Sequence, residues 1–481
     1  MEHGRLTVIE RIWLHPPLAF ARLGPSPTPC GNYHYGESDL SPRGTGKTTV
    51  VPLPTLEVAD DGTLTERLPD PGERVRFKDV YGFRPICPFF ELRGTWTSAD
   101  GQHHTDEPIT VAVLAEFGIG PAEVKWTVNV ANLKAYQCTG SPGDRIEAAV
   151  ELRGDQHLRQ PLRGRSPAGA DRPLVPPGRS LPLGSVQLPR PAGGFPELRL
   201  RFTPGTGAVY GPSNLRERTE RYLLPEDRLF LAPDAAWCAF SLSGATDVRT
   251  FPAGLFAGST PEDGGVSLGL VDDVCDGLIG VTLGGLTARA RIVVTPPDFA
   301  PDRRPFTSLA DGLADRVQRE EVSDPAYIAE NRDLTALEVR DLFERVLEAM
   351  DAVNVDAQND RATRENVRRA RSLGLPEDEA RERTFGPPDP LPGVTLPLTE
   401  RGRRWHRRFV ALEYLEDLFR ERPELLRQVI RTPVEEQRWH DRRMPVAVRG
   451  SDSYPMHLTR RQYDLLAGWV GSLRETVEEG T

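Results

Sequence analysis

Through much of the first three hundred residues apolar and polar positions alternate with a period of two, the signature of strands with one face buried. The clearest runs are Val124-Trp126-Val128-Val130, Leu198-Leu200-Phe202 and the apolar stretch from Ile292 to Val294. Residues 158–196 read differently, with recurrent Pro, Gly and Arg and few aromatics, so an extended connection or mobile insertion is expected there, without a catalytic role. From about residue 310 the period becomes that of a helix. Val339, Leu342, Phe343, Val346, Leu347 and Met350 fall three and four apart, predicting a helix over 335–353 with Thr335 and Glu338 as its capping box. A second helix is expected over 403–419, carrying Phe409, Leu412, Leu415 and Phe419 on one face. A third has a sharper start: Thr459 can cap, Gln462 can reach back and Leu458 can pack on Tyr463, and the helix should run to about Leu473. Together these elements predict an α+β fold, β-rich over the N-terminal two-thirds and helical over the C-terminal third. The expected division is a β-rich domain over 1–305 and a helical domain over 306–481.

Length and charge narrow the function classes. A chain of 481 residues can bury a sizeable core, and a formal charge of -10 argues against non-specific attraction to nucleic acid or anionic membranes. No run of eighteen apolar residues occurs and the opening stretch lacks the pattern of a secretion signal, so a cytoplasmic location is expected. Four lysines stand against 56 arginines, a skew that reads as the mark of a GC-rich bacterial genome. The five cysteines (Cys30, Cys87, Cys138, Cys238, Cys275) are scattered and never in a C-x-x-C pair, which suggests neither a disulfide framework nor a zinc knuckle.

Several motifs invite chemistry and are weak by themselves. Ser41–Thr48 ends as a phosphate loop does, but position 41 is Ser where Gly is needed, and neither a preceding strand nor a following helix is predicted. The histidine pair His103-His104 and the dipeptides Trp405-His406 and Trp439-His440 lack metal-ligand spacing, and no G-x-S-x-G elbow is present. Asp272-Asp273-Val-Cys275-Asp276-Gly277 is more informative. Three carboxylates within five residues repel one another unless they meet backbone N–H groups, cations or arginines. An Asp-rich turn that bonds its local backbone and a functional carboxylate or cation site both satisfy that demand.

Five stretches in order resemble the LodA/GoxA family, which includes lysine 6-oxidase and glycine oxidase. His15-Pro-Pro-Leu-Ala-Phe-Ala-Arg22-Leu-Gly24-Pro-Ser26 is similar to the family's "HPxIGIARxGNS" opening, and Lys125-Trp126-Thr-Val-Asn-Val-Ala131-Asn132-Leu-Lys134-Ala135 to its "WxVxxANKKA" strand. The acidic cluster resembles "DDxSDGxV", with Cys275 in place of the usual Ser. Val294-Thr-Pro296-Pro297-Asp298-Phe299-Ala300-Pro301 resembles "PPDFAP", and Met444-Pro445 with Leu458 to Trp469 resembles "MP…LTxxQYxxLxxWA".

The resemblance implies oxidative deamination of an amino acid or primary amine by cysteine tryptophylquinone, yielding a carbonyl product, ammonia and hydrogen peroxide. In that chemistry an oxidised indole offers an electrophilic carbonyl to the substrate amine and a carboxylate removes the α-proton. It places Asp272, Asp273 and Asp276 as candidate catalytic residues and Arg22, Lys134 and Asn132 as candidate substrate-binding residues. The family's cofactor cysteine follows its "QYxxLxxW" helix, whereas this chain ends twelve residues beyond Trp469 and has no cysteine after Cys275. The expectation is therefore an oxidoreductase scaffold without its own quinone segment, or a non-catalytic partner or substrate-binding subunit on the same scaffold. A partner protein or a second copy of the chain could complete either.

Overall fold

The computed structural model describes residues 8–38, 48–98, 100–241, 266–298, 300–351, 371–372, 374, 376, 417–433, 443–445, 448–449 and 454–478. The chain divides into two compact units. One comprises residues 1–33 and 52–299, the other residues 34–51 and 300–481. The second unit thus takes in a short stretch from the β-rich part of the sequence as well as the helical third. The fold is α+β, as the periodicities predict.

Two large sheets build the core of the first unit, beside a three-stranded one of Leu229–Leu231, Val209–Pro212 and Val271–Asp272. A six-stranded sheet runs Val8–His15, Phe89–Thr97, Arg199–Thr203, Leu181–Gln187, Gln160–Gly164, with His103–Pro108 also pairing on Phe89–Thr97. A five-stranded sheet runs Ile146–Arg153, Lys125–Asn132, Asp276–Leu283, Leu286–Thr295, Leu18–Arg22, antiparallel except at the last pair. Strict alternation explains why these faces meet. Trp126, Val128 and Val130 point inward from one sheet and Phe90, Leu92, Leu200 and Phe202 from the other, all in one continuous buried cluster. Full burial of each such side chain contributes roughly 1.5–3 kcal/mol.

Where an extended connection or mobile insertion was expected, residues 158–196 supply two strands of the six-stranded sheet, with Leu162, Leu174, Leu181, Leu183 and Val186 all buried. The Pro and Gly that masked them serve specific geometry. Gly184 has φ of 110°, and a Cβ there would fall 2.3 Å from the Thr203 carbonyl oxygen. This one irregular residue shifts the alternation, so that Leu181 and Leu183 before it and Val186 after it all face the core.

In the second unit, the helix Arg332–Asp351 presents Val339, Leu342, Phe343 and Val346 to a core shared with Phe419, Leu466, Trp469 and Val470. It begins earlier than predicted, so Thr335 is not its cap: the Thr335 amide donates to the Asn331 carbonyl inside a helical turn, and Glu338 pairs with Arg461 at 2.9 Å. The last helix, Arg460–Glu478, starts as read. The Gln462 amide donates to Thr459 Oγ1 at 3.1 Å and the Thr459 amide to Gln462 Oε1 at 2.9 Å, with Leu458 buried and Tyr463 packed on the same core. Most of the helix expected over 403–419 lies outside the described residues, as do Trp405, Trp439 and positions 41–47 of the phosphate-loop-like stretch; Leu418 and Phe419 are buried.

A buried charge network joins the stretch around Thr48 to the long helix. Glu348 is fully buried and accepts from the Arg304 backbone N–H at 3.0 Å, from its guanidinium at 3.1 and 3.3 Å, and from the Thr48 hydroxyl. Replacing Glu348 by Ala leaves the Arg304 cation without its most buried partner and should lower stability by about 3–5 kcal/mol in urea denaturation. A loss below about 1 kcal/mol would place the network among surface ion pairs, which contribute little.

Candidate functional site

The acidic cluster sits where the short strand Val271–Asp272 leads into Asp276–Leu283, beside the end of Lys125–Asn132. The two neighbouring carboxylates turn to different partners. Asp272 meets Lys134, with Nζ to Oδ2 at 2.5 Å, and the side chains are about one quarter exposed. Asn132 locks the arrangement: its Nδ2 donates to the Asp272 carbonyl at 2.8 Å and to Oδ1 at 3.3 Å, while its Oδ1 accepts from the Lys134 amide at 3.1 Å. Three of the six residues expected at the site are thus brought together.

Asp273 is fully buried and takes the opposite direction. Its carboxylate accepts backbone N–H bonds from Thr206 at 2.8 Å, Gly207 at 3.0 Å and Ala208 at 3.2 Å. Burial raises its pKa, while these donors pull the other way. The close approach demands glycine: a Cβ on Gly205 would lie 2.6 Å from Asp273 Oδ2, and Gly207 has φ of 83°. Asp273, expected as a candidate catalytic carboxylate, thus clamps a loop some sixty-five residues away. Asp276 opens its strand with an exposed side chain, paired in the ladders with Ala131 and Val293. Arg22 is engaged elsewhere, donating to the Pro296 carbonyl at 3.2 Å and facing Asp298 at 3.4 Å.

Four of the five resemblance motifs contribute residues to the five-stranded sheet, since the 18–22, 125–132, 276–283 and 294–295 segments are all its strands. No family model matches the chain, and no curated protein is detectably similar to it. The motifs alone carry the resemblance.

Cysteine tryptophylquinone requires a thiol, an indole and a carboxylate converging on one point. Cys275 is buried with its thiol directed at the Leu183 carbonyl, 3.4 Å away, and burial drives its pKa far up. A second thiol lies beside an indole in the turn Ala236–Ala239. There Trp237 and Cys238 are adjacent, and Asp144 Oδ1 accepts from the Trp237 backbone N–H at 3.4 Å. Yet the Trp237 indole N–H donates to the Leu270 carbonyl at 3.0 Å and the Cys238 thiol to the Ala232 carbonyl at 3.3 Å. Burial raises the Cys238 pKa to about 12, and Asp144 touches the amide and not the ring. Neither arrangement fits this cofactor.

Asp144 escaped the sequence reading. It is fully buried, 2.6 Å from Thr139 Oγ1, and burial raises its pKa. The Thr139 hydroxyl has one hydrogen and also lies 3.2 Å from the Ala135 carbonyl, so a protonated Asp144 that donates to Thr139 satisfies both contacts at once. A carboxyl with a raised folded-state pKa stabilises the fold fully below its unfolded pKa and ceases to as pH rises through the folded value. The Asp144 contribution to stability should therefore fall as pH rises above the ordinary carboxylate range, and Asp144→Asn should remove that component of the pH dependence at little cost. Asp273→Asn should instead turn an amide NH2 towards backbone donors and lose about 2–4 kcal/mol. Thermal melts of both variants from pH 4 to 8 decide; equal losses would reject the contrast.

Proposed function

We propose that this chain is a LodA/GoxA-like protein acting on an amino acid or primary amine, and that Lys134 and Asp272 form its recognition pair. The observation that carries the reading is the partly exposed Lys134–Asp272 contact, held from behind by Asn132. An ion pair of this kind is complementary to a zwitterion. Asp272 takes the ligand ammonium and Lys134 its carboxylate, so one internal contact is exchanged for two charge-assisted ones. The side chains are already oriented before the ligand arrives, which reduces the entropy lost on binding.

Of the two roles open to such a scaffold, a substrate-binding subunit is favoured, because the two buried thiols, Cys238 and Cys275, are directed at backbone carbonyls. The second reading, an oxidoreductase of the oxidative-deamination type, is supported by the order of the five motifs and the common sheet of four of them. Five unpaired cysteines suit a reducing compartment, so we place the protein in the cytoplasm. Among the described residues no helix is long and apolar enough to cross a membrane.

Calorimetric titration with a panel of amino acids and simple primary amines tests the pair. Asp272→Asn should weaken amines and amino acids alike by about tenfold or more, whereas Lys134→Met should weaken amino acids and spare amines. An absence of binding across the panel would sink the proposal. Hydrogen peroxide release with the same panel, together with an intact mass raised by oxygen on an indole, would move the assignment from binding subunit to oxidase.

A further inference from the structure

The outward face of the six-stranded sheet contains a cation with no carboxylate partner among the described residues. Arg199 and Arg201 alternate with the core residues Leu200 and Phe202, so both point away from the core. Arg199 meets Glu91 at 2.9 Å. Arg201 differs: only 7% of its surface is exposed, no carboxylate among the described residues lies in ion-pair reach of it, and its Nε has no hydrogen-bond partner. Its neighbours are the Phe89 ring, 5.9 Å from the guanidinium, and the Cys87 sulfur, which also faces Thr203.

Directly opposite Arg201 in the ladder stands Gln187, 2% exposed. Its Nε2 is directed at the carbonyls of Ala59 at 2.8 Å, His157 at 3.0 Å and Asp60 at 3.2 Å, which settles the orientation of the amide. Its Oε1 is left buried without a donor. A loop laid across the sheet thus encloses an unpaired cation beside an unpaired acceptor. Each is costly alone, a buried charge by several kcal/mol and a buried acceptor by about 1–3 kcal/mol. One occupant that is both anion and donor answers both.

We propose that Arg201 and Gln187 form a binding site for a small oxyanion carrying a hydroxyl next to its charge. Hydrogen phosphate and an α-hydroxy carboxylate share this chemistry. The guanidinium takes two oxygens side by side, and Gln187 Oε1 accepts from the hydroxyl. The site is separate from the Lys134–Asp272 pair and does not depend on its role.

Titration of the full chain with inorganic phosphate, lactate and acetate tests the site. Saturable binding of phosphate alone identifies a phosphoryl ligand and of lactate alone a carboxylate ligand. Acetate, lacking the hydroxyl, should bind about tenfold more weakly than lactate. Arg201→Met should weaken the bound probe by about tenfold to a hundredfold. A measurement on the unmutated chain guards against a variant that fails to fold: the bound probe should slow alkylation of Cys87, followed by peptide mass spectrometry. Failure of both phosphate and lactate to bind, binding unchanged in a folded Arg201→Met, or alkylation of Cys87 at the same rate with and without probe would each overturn the proposal.

Discussion

Carboxylates placed side by side at the rim of a core must each find a different compensation, and the first unit is organised around how Asp272 and Asp273 do so. Their shared backbone sends alternate side chains to opposite sides. One therefore reaches Lys134 and Asn132 at the end of the Lys125–Asn132 strand, and the other reaches the N–H groups of residues 206–208. Each contact spans a long stretch of sequence, so the two carboxylates tie three separate segments to one point. A substitution at either position is felt in a loop that no local pattern connects to it.

Much of the architecture was legible because it follows from period. Trp126, Val128 and Val130 have to face one way in a strand, and Val339, Leu342, Phe343 and Val346 have to share a helix face, wherever those elements sit. The segment 158–196 was not legible for the opposite reason. Its strand Leu181–Gln187 breaks its own alternation at Gly184, so the inward residues fall at two phases and no single period registers. Thr335 misled for a different reason: capping chemistry is shared by residues inside helices, and only the preceding turn from Asn331 shows that this helix was already under way.

The site was legible in part. Proximity in sequence marked the acidic cluster, and the resemblance brought Asn132 and Lys134 to it, but nothing in the spacing says which carboxylate faces solvent. That depends on Gly205 and Gly207, whose lack of a side chain lets the loop close on Asp273. Asp144 gave no signal at all, since a lone acid in a Pro-Gly-Asp turn reads as solvated. Its burial comes from Trp237 and Thr139, which reach it from a distant turn and from a neighbouring helix end.

The outward face of the six-stranded sheet shows where pattern reasoning reaches its end. In Leu198-Arg-Leu-Arg-Phe202 the alternation correctly puts arginines outside the core, and the ordinary inference is that outside means wet. That inference fails when a loop crosses the face. The carbonyls of Ala59, Asp60 and His157 hold Gln187 beneath them, and the arginine facing it across the ladder is closed off with it. Had Arg201 been given a glutamate, as Arg199 is given Glu91, the enclosure would be a structural ion pair and nothing more. With no carboxylate among the described residues in ion-pair reach of Arg201, its charge is left to be balanced from outside, and a fold that buries such a residue between two neighbouring strands has the physical form of a binding site.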